Sequence, residues 1–271
     1  MPIIWGGILH GDLGVSLFTN NSVVFDIAHR LPATIELAAL ALFMMIIWAI
    51  PAGLIAAINE DKPIDKAILV VTKFGVSVVQ FWLGLLLIYF FYYKWNLFPE
   101  PMGRLPFSAD IPQHITGLFT IDSLIIGNKK TFLMALHRLI LPAFTLAFAV
   151  SPGTLLVARA TLRNILRSNY IRTARAFGLP KKLLYSKYVL RNAFPPILTV
   201  LGITFGALIG GTVLIEVVFA WPGIGRYAVD ALQRSDFEPI IGLTLLSAIT
   251  YAVTYFIIDI ICAIFDPRFR L

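Results

Sequence analysis

Long apolar runs, separated by short polar or charged stretches, set the pattern of this chain. Five runs are long enough to cross a hydrocarbon layer about 30 Å thick. They extend from about Pro32 to Ile58, Ala67 to Tyr93, Leu139 to Ala158, Pro196 to Phe219 and Pro239 to Phe265. The pattern predicts an all-α, polytopic helical membrane protein with about five transmembrane helices. Pro32 suits a first helical turn, where its missing N–H has no intrahelical partner to lose. The second run ends in Tyr89, Phe90, Phe91, Tyr92, Tyr93 and Trp95, an aromatic belt suited to a membrane–water interface. The alternating strands of about ten residues that a membrane β-barrel needs are absent from the sequence.

Charge assigns sides to these spans. Between Arg159 and Arg191 lie nine basic residues and no acidic one. Short Lys/Arg-rich loops stay cytoplasmic, so 159–191 faces the cytoplasm, as do 59–66 and the tail after Phe265. Alternation then puts 1–31, 94–138 and 220–238 outside. The chain divides into an extracytoplasmic N-terminal segment (1–31), a transmembrane domain (32–265) and a cytoplasmic tail (266–271). The N-terminus has no basic stretch followed by an apolar core and does not read as a signal peptide. Only 14% of residues are charged and 58% are hydrophobic, against about 25% charged in soluble domains, which excludes an ordinary soluble fold. The net charge of +7 gathers at one membrane face, so it implies no nucleic acid. The single cysteine, Cys262, lies in an apolar run and reads as a small core residue.

Within the basic segment, Ser168 or Asn169 is a candidate cap for a short helix. Gly178 offers a left-handed position at its end, and Pro180 stops continuation. A second helix is expected from Pro180 through KKLLYSKYVLRNA into the fourth span. Ile171, Ala174 and Phe177 are expected near one face, with Arg172 and Arg175 pointing elsewhere. Such a helix suits docking into a groove of another protein, or contact with anionic lipid; the residues alone leave both open.

Four blocks in order resemble one family. Tyr170–Gly202 (YIRTARAFGLPKKLLYSKYVLRNAFPPILTVLG) resembles the cytoplasmic coupling loop of ABC-importer permeases, in the form used by the dipeptide/oligopeptide/nickel permease subfamily. Arg172-Thr173-Ala174 fall where the general motif has Glu-Ala-Ala, and Gly178 falls on its glycine. RLPATIELA (Arg30–Ala38), preceded by HGDLGVSL, resembles the entry to the family's second membrane helix. EVVFAWPGIGRYAVDALQRSDF (Glu216–Phe237) resembles its outer loop before the last helix, and DPRFR (Asp266–Arg270) its ending. Members normally begin with a further membrane helix. By this resemblance the chain is expected to start within the outer segment that follows such a helix, which would account for an N-terminus outside.

The resemblance implies a permease subunit in the inner membrane of a prokaryote. It implies a heterodimer with a second permease whose interface holds the path, two cytoplasmic ATPase subunits and an extracytoplasmic binding protein. Arg172, Thr173, Ala174, Gly178 and Leu179 would carry the coupling to the ATPases, and ATP would be bound on those partners rather than here. Dipeptides or oligopeptides are the implied cargo, with nickel or another chelated metal as the alternative.

Other chemistry finds no support in the residues. There is no GxxxxGK[ST] phosphate loop, no nucleophile elbow or HExxH motif, and His10, His29, His114 and His137 are scattered. Catalytic and metal-ligating residues are therefore expected to be absent, and no cofactor is expected on this chain. Ser77 and Gln80 are candidates for a translocation path, because polar groups inside spans tend to face the bundle or water. Gly202, Gly206 and Gly210 form a small-residue stripe for close helix packing. Glu36 and Glu216 are expected at hydrated outer helix ends. Asp259 is the one mid-span acid that an ion-coupled secondary transporter would need, and no inverted repeat accompanies it. A non-transporting membrane assembly subunit is the third reading.

Overall fold

The computed structural model describes residue 7, residues 11–106, 109, 112 and 115–265. The DPRFR ending, His10 and His114 lie outside the described residues. Among the described residues there are eleven α-helices: α1 Val23–Ile58, α2 Pro63–Ser77, α3 Gln80–Leu87, α4 Phe119–Ile126, α5 Lys129–Leu166, α6 Asn169–Ala176, α7 Lys181–Leu183, α8 Arg191–Gly211, α9 Val213–Val218, α10 Ile224–Gln233 and α11 Phe237–Phe265. Wider π-helical turns continue α3 through Ile88–Lys94 and join α7 to α8 through Leu184–Leu190. Among the described residues four helical stretches are long and apolar enough to cross a membrane, and α2 with α3 makes a fifth if that bent pair is one span.

The long helices depart from the expected bounds for identifiable reasons. α1 begins at Val23, ahead of Pro32, because Ser22 caps it: its hydroxyl accepts the Phe25 N–H at 3.3 Å, and Asp26 stands in the first turn. Pro32 sits inside this helix. The second span is not one helix. The backbone turns extended at Val78 (φ −86, ψ 125) and resumes helix at Gln80; two adjacent β-branched residues, at home in extended backbone, occupy the break. α5 outruns its apolar segment at both ends, and its basic end persists because acidic side chains meet it. The expected cytoplasmic loop therefore begins as helix. The fourth span starts at Lys181, with Pro195 and Pro196 inside it, and α8 stops at Gly211 instead of reaching Phe219. Only α11 lies within two residues of its expected start.

Two compact units are present. One comprises Met1–Ala41, Gln80–Leu146 and Ala207–Tyr251; the other comprises Leu42–Val79, Ala147–Gly206 and Ala252–Leu271.

The first unit is built around buried polar groups. Glu216 is fully buried. Its carboxylate accepts the hydroxyls of Thr34 at 2.6 Å and Thr212 at 2.8 Å and the Arg226 N–H at 2.9 Å. Arg226 is the third residue of α10, so this carboxylate and the Thr34 oxygen, which accepts the Ile224 N–H at 2.9 Å, close the N-terminus of that helix. A negative charge there is also favoured by the helix dipole. Glu36 pairs with the buried Arg104 at 2.6 Å and accepts both the N–H and the hydroxyl of Thr120 at 2.7 Å. The expectation of two hydrated outer carboxylates is thus corrected: both are buried, and each has a partner distant in sequence, Thr34 for Glu216 and Arg104 and Thr120 for Glu36. Trp221 donates its indole N–H to the Ala33 carbonyl at 2.8 Å, and the Arg30 guanidinium stacks on Tyr227 at 4.5 Å. These contacts join the RLPATIELA and WPGIGRY blocks.

The second unit has an apolar core of Ala57, Ala158, Leu162, Leu166, Ile171, Leu184, Val189, Ala193 and Ile197. On its polar side, Arg159 pairs with Asp65 at 2.6 Å, and Arg163 and Arg167 both reach Glu60. Three of the basic residues that suggested sidedness are therefore also structural ion-pair partners.

Candidate functional site

α6 is held by one buried anchor and closed by one backbone device. Ile171 is fully buried in the second unit's core, and Ala174 packs against the same cluster. At the C-terminus the Leu179 N–H donates to the Ala174 carbonyl at 3.2 Å and the Gly178 N–H to the Arg175 carbonyl at 2.9 Å. This is the paired closure of a helix whose next residue is left-handed. Gly178 supplies that conformation at φ 74, which side-chain-bearing residues adopt only at a cost. The spacing from Ala174 to Leu179 in RTARAFGL is thus the spacing of a helix stop.

Several expectations change here. Ser168 precedes α6 but does not cap it; its hydroxyl donates to the Ile165 carbonyl at 2.5 Å. Phe177 does not share the face of Ile171 and Ala174, but is 81% exposed. It follows the last helical residue, where the chain is already turning, so helical spacing no longer governs its direction. The outward surface of α6 and its stop is made by Arg172, Thr173, Arg175, Ala176, Phe177 and Gly178, all exposed, with Leu179 half-buried. A groove of about 520 Å³ lies alongside, with Glu60, Arg167, Arg175, Leu179 and Lys181 among its lining residues. Sequence reasoning did not pick out Phe177 as a projecting ring; its position just before the helix-stopping glycine was the available signal.

Ser77 and Gln80 flank the break at Val78–Val79. The Ser77 hydroxyl donates to the Lys73 carbonyl of its own helix at 3.0 Å. Gln80 opens α3 and is half-buried. Gly202 is buried where α8 meets α11, and a Cβ on it would overlap the Ile258 side chain. Gly206 is buried, whereas Gly210 is exposed, with room for a Cβ against the Tyr251 ring at 3.7 Å. Asp259 is exposed on α11. His137 meets the Leu97 carbonyl at 3.0 Å, and the neighbouring Arg138 donates to the Glu100 carbonyl at 3.0 Å. Among the described residues no group of three or more His, Cys, Asp or Glu is placed to hold a metal ion.

Outside the spans, three titrating groups record the polar packing of the first unit. Burial raises the Asp236 carboxyl, but hydrogen bonds from Ser16 and from the Leu17 and Phe18 amides outweigh it, and the net value lies below the usual 3.8. Asp122 is likewise lowered: burial is overcome by the Thr116 hydroxyl and by backbone amides including Gly117. Tyr227 is pushed up to about 12 by burial and by its hydrogen bond to Asp26.

Residues 49–271 match the family described as the binding-protein-dependent transport system inner membrane component. The chain is 38% identical over 261 residues to the probable D,D-dipeptide transport system permease protein DdpB of Escherichia coli, covering 96% of this chain and 76% of that protein. It is 35% identical to the dipeptide transport system permease protein DppB of Escherichia coli, over 98% of this chain and 79% of the relative. With the oligopeptide transport system permease protein AppB of Bacillus subtilis the identity is 32%, over 97% and 77%. Among solved structures, a chain of the MetNI methionine ABC transporter in inward-facing form superposes with a TM-score of 0.64 at 15% identity, covering 86% of this chain and 93% of that one. A chain of an amino acid ABC transporter crystallised with histidines gives 0.54 at 17% identity, covering 90% and 94%. These two likenesses concern the fold.

Proposed function

The chain belongs to the family of binding-protein-dependent transport system inner membrane components, and from that membership we propose that it is the permease subunit of an ATP-driven peptide importer. Dipeptides or short oligopeptides are the cargo, in keeping with the names of the relatives that span nearly its whole length. Those names favour peptides over nickel. A second permease completes the translocation path. Two cytoplasmic ATPase subunits bind and hydrolyse ATP, no cofactor resides on this chain, and an extracytoplasmic binding protein delivers cargo to the outer face of the prokaryotic inner membrane.

The observation that carries the reading is α6: a helix of eight residues, anchored by Ile171, stopped by Gly178 and presenting exposed Arg172, Thr173, Arg175 and Phe177. Its shortness and firm closure suit a rigid knob seated in a groove of each ATPase. Arg172, Thr173, Ala174, Gly178 and Leu179 form or brace that knob. When the ATPases close on ATP, the knobs are drawn together and the membrane helices switch the path from one side to the other as rigid bodies. Ser77 and Gln80, beside the break in the second span, are the candidates for contact with the path, and Gly202, Gly206 and Gly210 for helix packing.

The test is reconstitution with the partner permease, ATPases and binding protein in proteoliposomes. Labelled dipeptide is expected to enter only with ATP inside the compartment that holds the ATPases. Uptake that survives ATP depletion and collapses with an uncoupler would replace this reading by an ion-coupled one. Nickel uptake without dipeptide uptake would change the cargo.

A further inference from the structure

α2 is attached to α5 at both of its ends. At its first turn, the Arg159 Nε and Nη2 groups donate to the two carboxylate oxygens of Asp65 at 2.7 and 2.6 Å. The paired geometry fixes direction as well as distance. Asp65 is 1% exposed and also accepts the Asp61 N–H at 3.1 Å, so the same carboxylate shapes the turn before α2. Farther along α5, Arg163 and Arg167 share Glu60 of that turn. At the last turn of α2, Gly75 lies so close to α5 that a Cβ would stand 3.0 Å from the Pro152 Cγ. α5 in turn is joined to α6: Leu162 and Leu166 belong to the same buried cluster as Ile171.

We propose that the Asp65–Arg159 pair is a positioning element that makes α2 move as one body with α6, so that displacement of the coupling helix is delivered to Ser77 at the end of α2. The proposal rests on the reading of α6 as the ATPase-coupling helix. Asp65 and Arg159 belong to α2 and α5, outside α6 and its stop. They act through geometry, since a bidentate ion pair with a buried carboxylate cannot slip without leaving both charges uncompensated. A role for Arg159 in membrane sidedness alone would be served equally by lysine, which lacks the fork.

The experiment uses the complete transporter in proteoliposomes and reads dipeptide moved per ATP hydrolysed. Asp65→Asn and Arg159→Lys are expected to assemble and hydrolyse ATP, while this ratio falls about tenfold. The exchanged pair D65R/R159D is expected to regain much of it. Native ratios in the assembled single variants would overturn the proposal. Independently of any variant's folding, spin labels at the exposed positions Val70 and Tyr170 report the distance from α2 to α6. It is expected to be the same in nucleotide-free and ATP-bound states, and a shift between those states would overturn the proposal. Were α6 not the coupling helix, Gly178→Val would leave the transport ratio intact while the Val70–Tyr170 distance stayed constant, so the two failures read differently.

Discussion

The Thr34 hydroxyl donates a 2.6 Å hydrogen bond to Glu216, 182 residues away in the chain, and no room remains beside them: a Cβ on Gly223 would overlap both partners. Thr34→Val is nearly isosteric, yet it strips a hydrogen bond from a buried carboxylate and leaves the Ile224 N–H without its acceptor. A loss of about 2–4 kcal/mol follows. Gly223→Ala should do at least as much damage by forcing the network apart. Thermal unfolding of the purified protein in detergent checks both, and an unchanged midpoint for Thr34→Val would show that the Thr34 hydroxyl does not stabilise this network, leaving Glu216 to its Thr212 and Arg226 partners.

Gly178 separates conformation from space. No atom lies within 4 Å of a Cβ added there, yet φ is 74. Gly178→Asn, which tolerates the left-handed region, should keep most ATP-driven uptake in the reconstituted complex. Gly178→Val, strained by about 1–2 kcal/mol, should lower uptake per ATP. Equal behaviour of the two variants would show that the left-handed stop is not what matters.

Arg104 and Glu36 are both buried. Arg104→Ala should cost about 3–5 kcal/mol, because it strands a buried carboxylate that also serves Thr120. Arg104→Met combined with Glu36→Gln should cost clearly less than the sum of the two single changes. A double-mutant cycle by chemical unfolding measures the difference.

The acid side of the pH profile should carry the Asp236 and Asp122 signatures. Both carboxyls are lowered in the folded protein. Their contribution is therefore present above the ordinary value of 3.8 and is withdrawn as pH falls through the lower folded values. Asp236→Asn should flatten the acid limb of stability against pH. Tyr227 acts at the other end: raised from 10.0 to about 12, its contribution holds below pH 10 and fades as pH climbs toward 12. Tyr227→Phe should remove that alkaline limb.

Gly202 and Ile258 form a complementary pair on α8 and α11. Gly202→Ala should destabilise by about 1–3 kcal/mol through overpacking. Ile258→Ala in the same chain should recover part of the loss by opening space. Additive losses in the double variant would place the α8–α11 contact elsewhere.

Legibility from sequence followed the range of the forces involved. Apolar run length announced the spans, because hydrocarbon thickness demands it locally. Gly178 followed by Pro180 announced the end of α6, because a helix stop is settled within a few residues. Reading Pro32 as a first-turn residue places the start of α1 too late, because the helix begins at Val23 and keeps that proline in its interior, whereas the helix expected from Pro180 into the fourth span does begin there, at Lys181. The break at Val78–Val79 carried no Gly or Pro to mark it.

The sequence by itself determined the all-α class, the apolar runs that become membrane-length helices though neither their ends nor the break in the second, the existence and stop of α6, and the motifs that resemble one family. Tertiary structure alone decided that Glu36 and Glu216 are buried, that Arg159 belongs to Asp65, that Phe177 points away from Ile171, and that Gly202 meets Ile258. The reason is range. Propensity, hydropathy and capping act over a few neighbouring residues and leave a local imprint. The partner of a buried charge, or of a glycine at a helix crossing, is set by residues that only folding brings within a few ångströms.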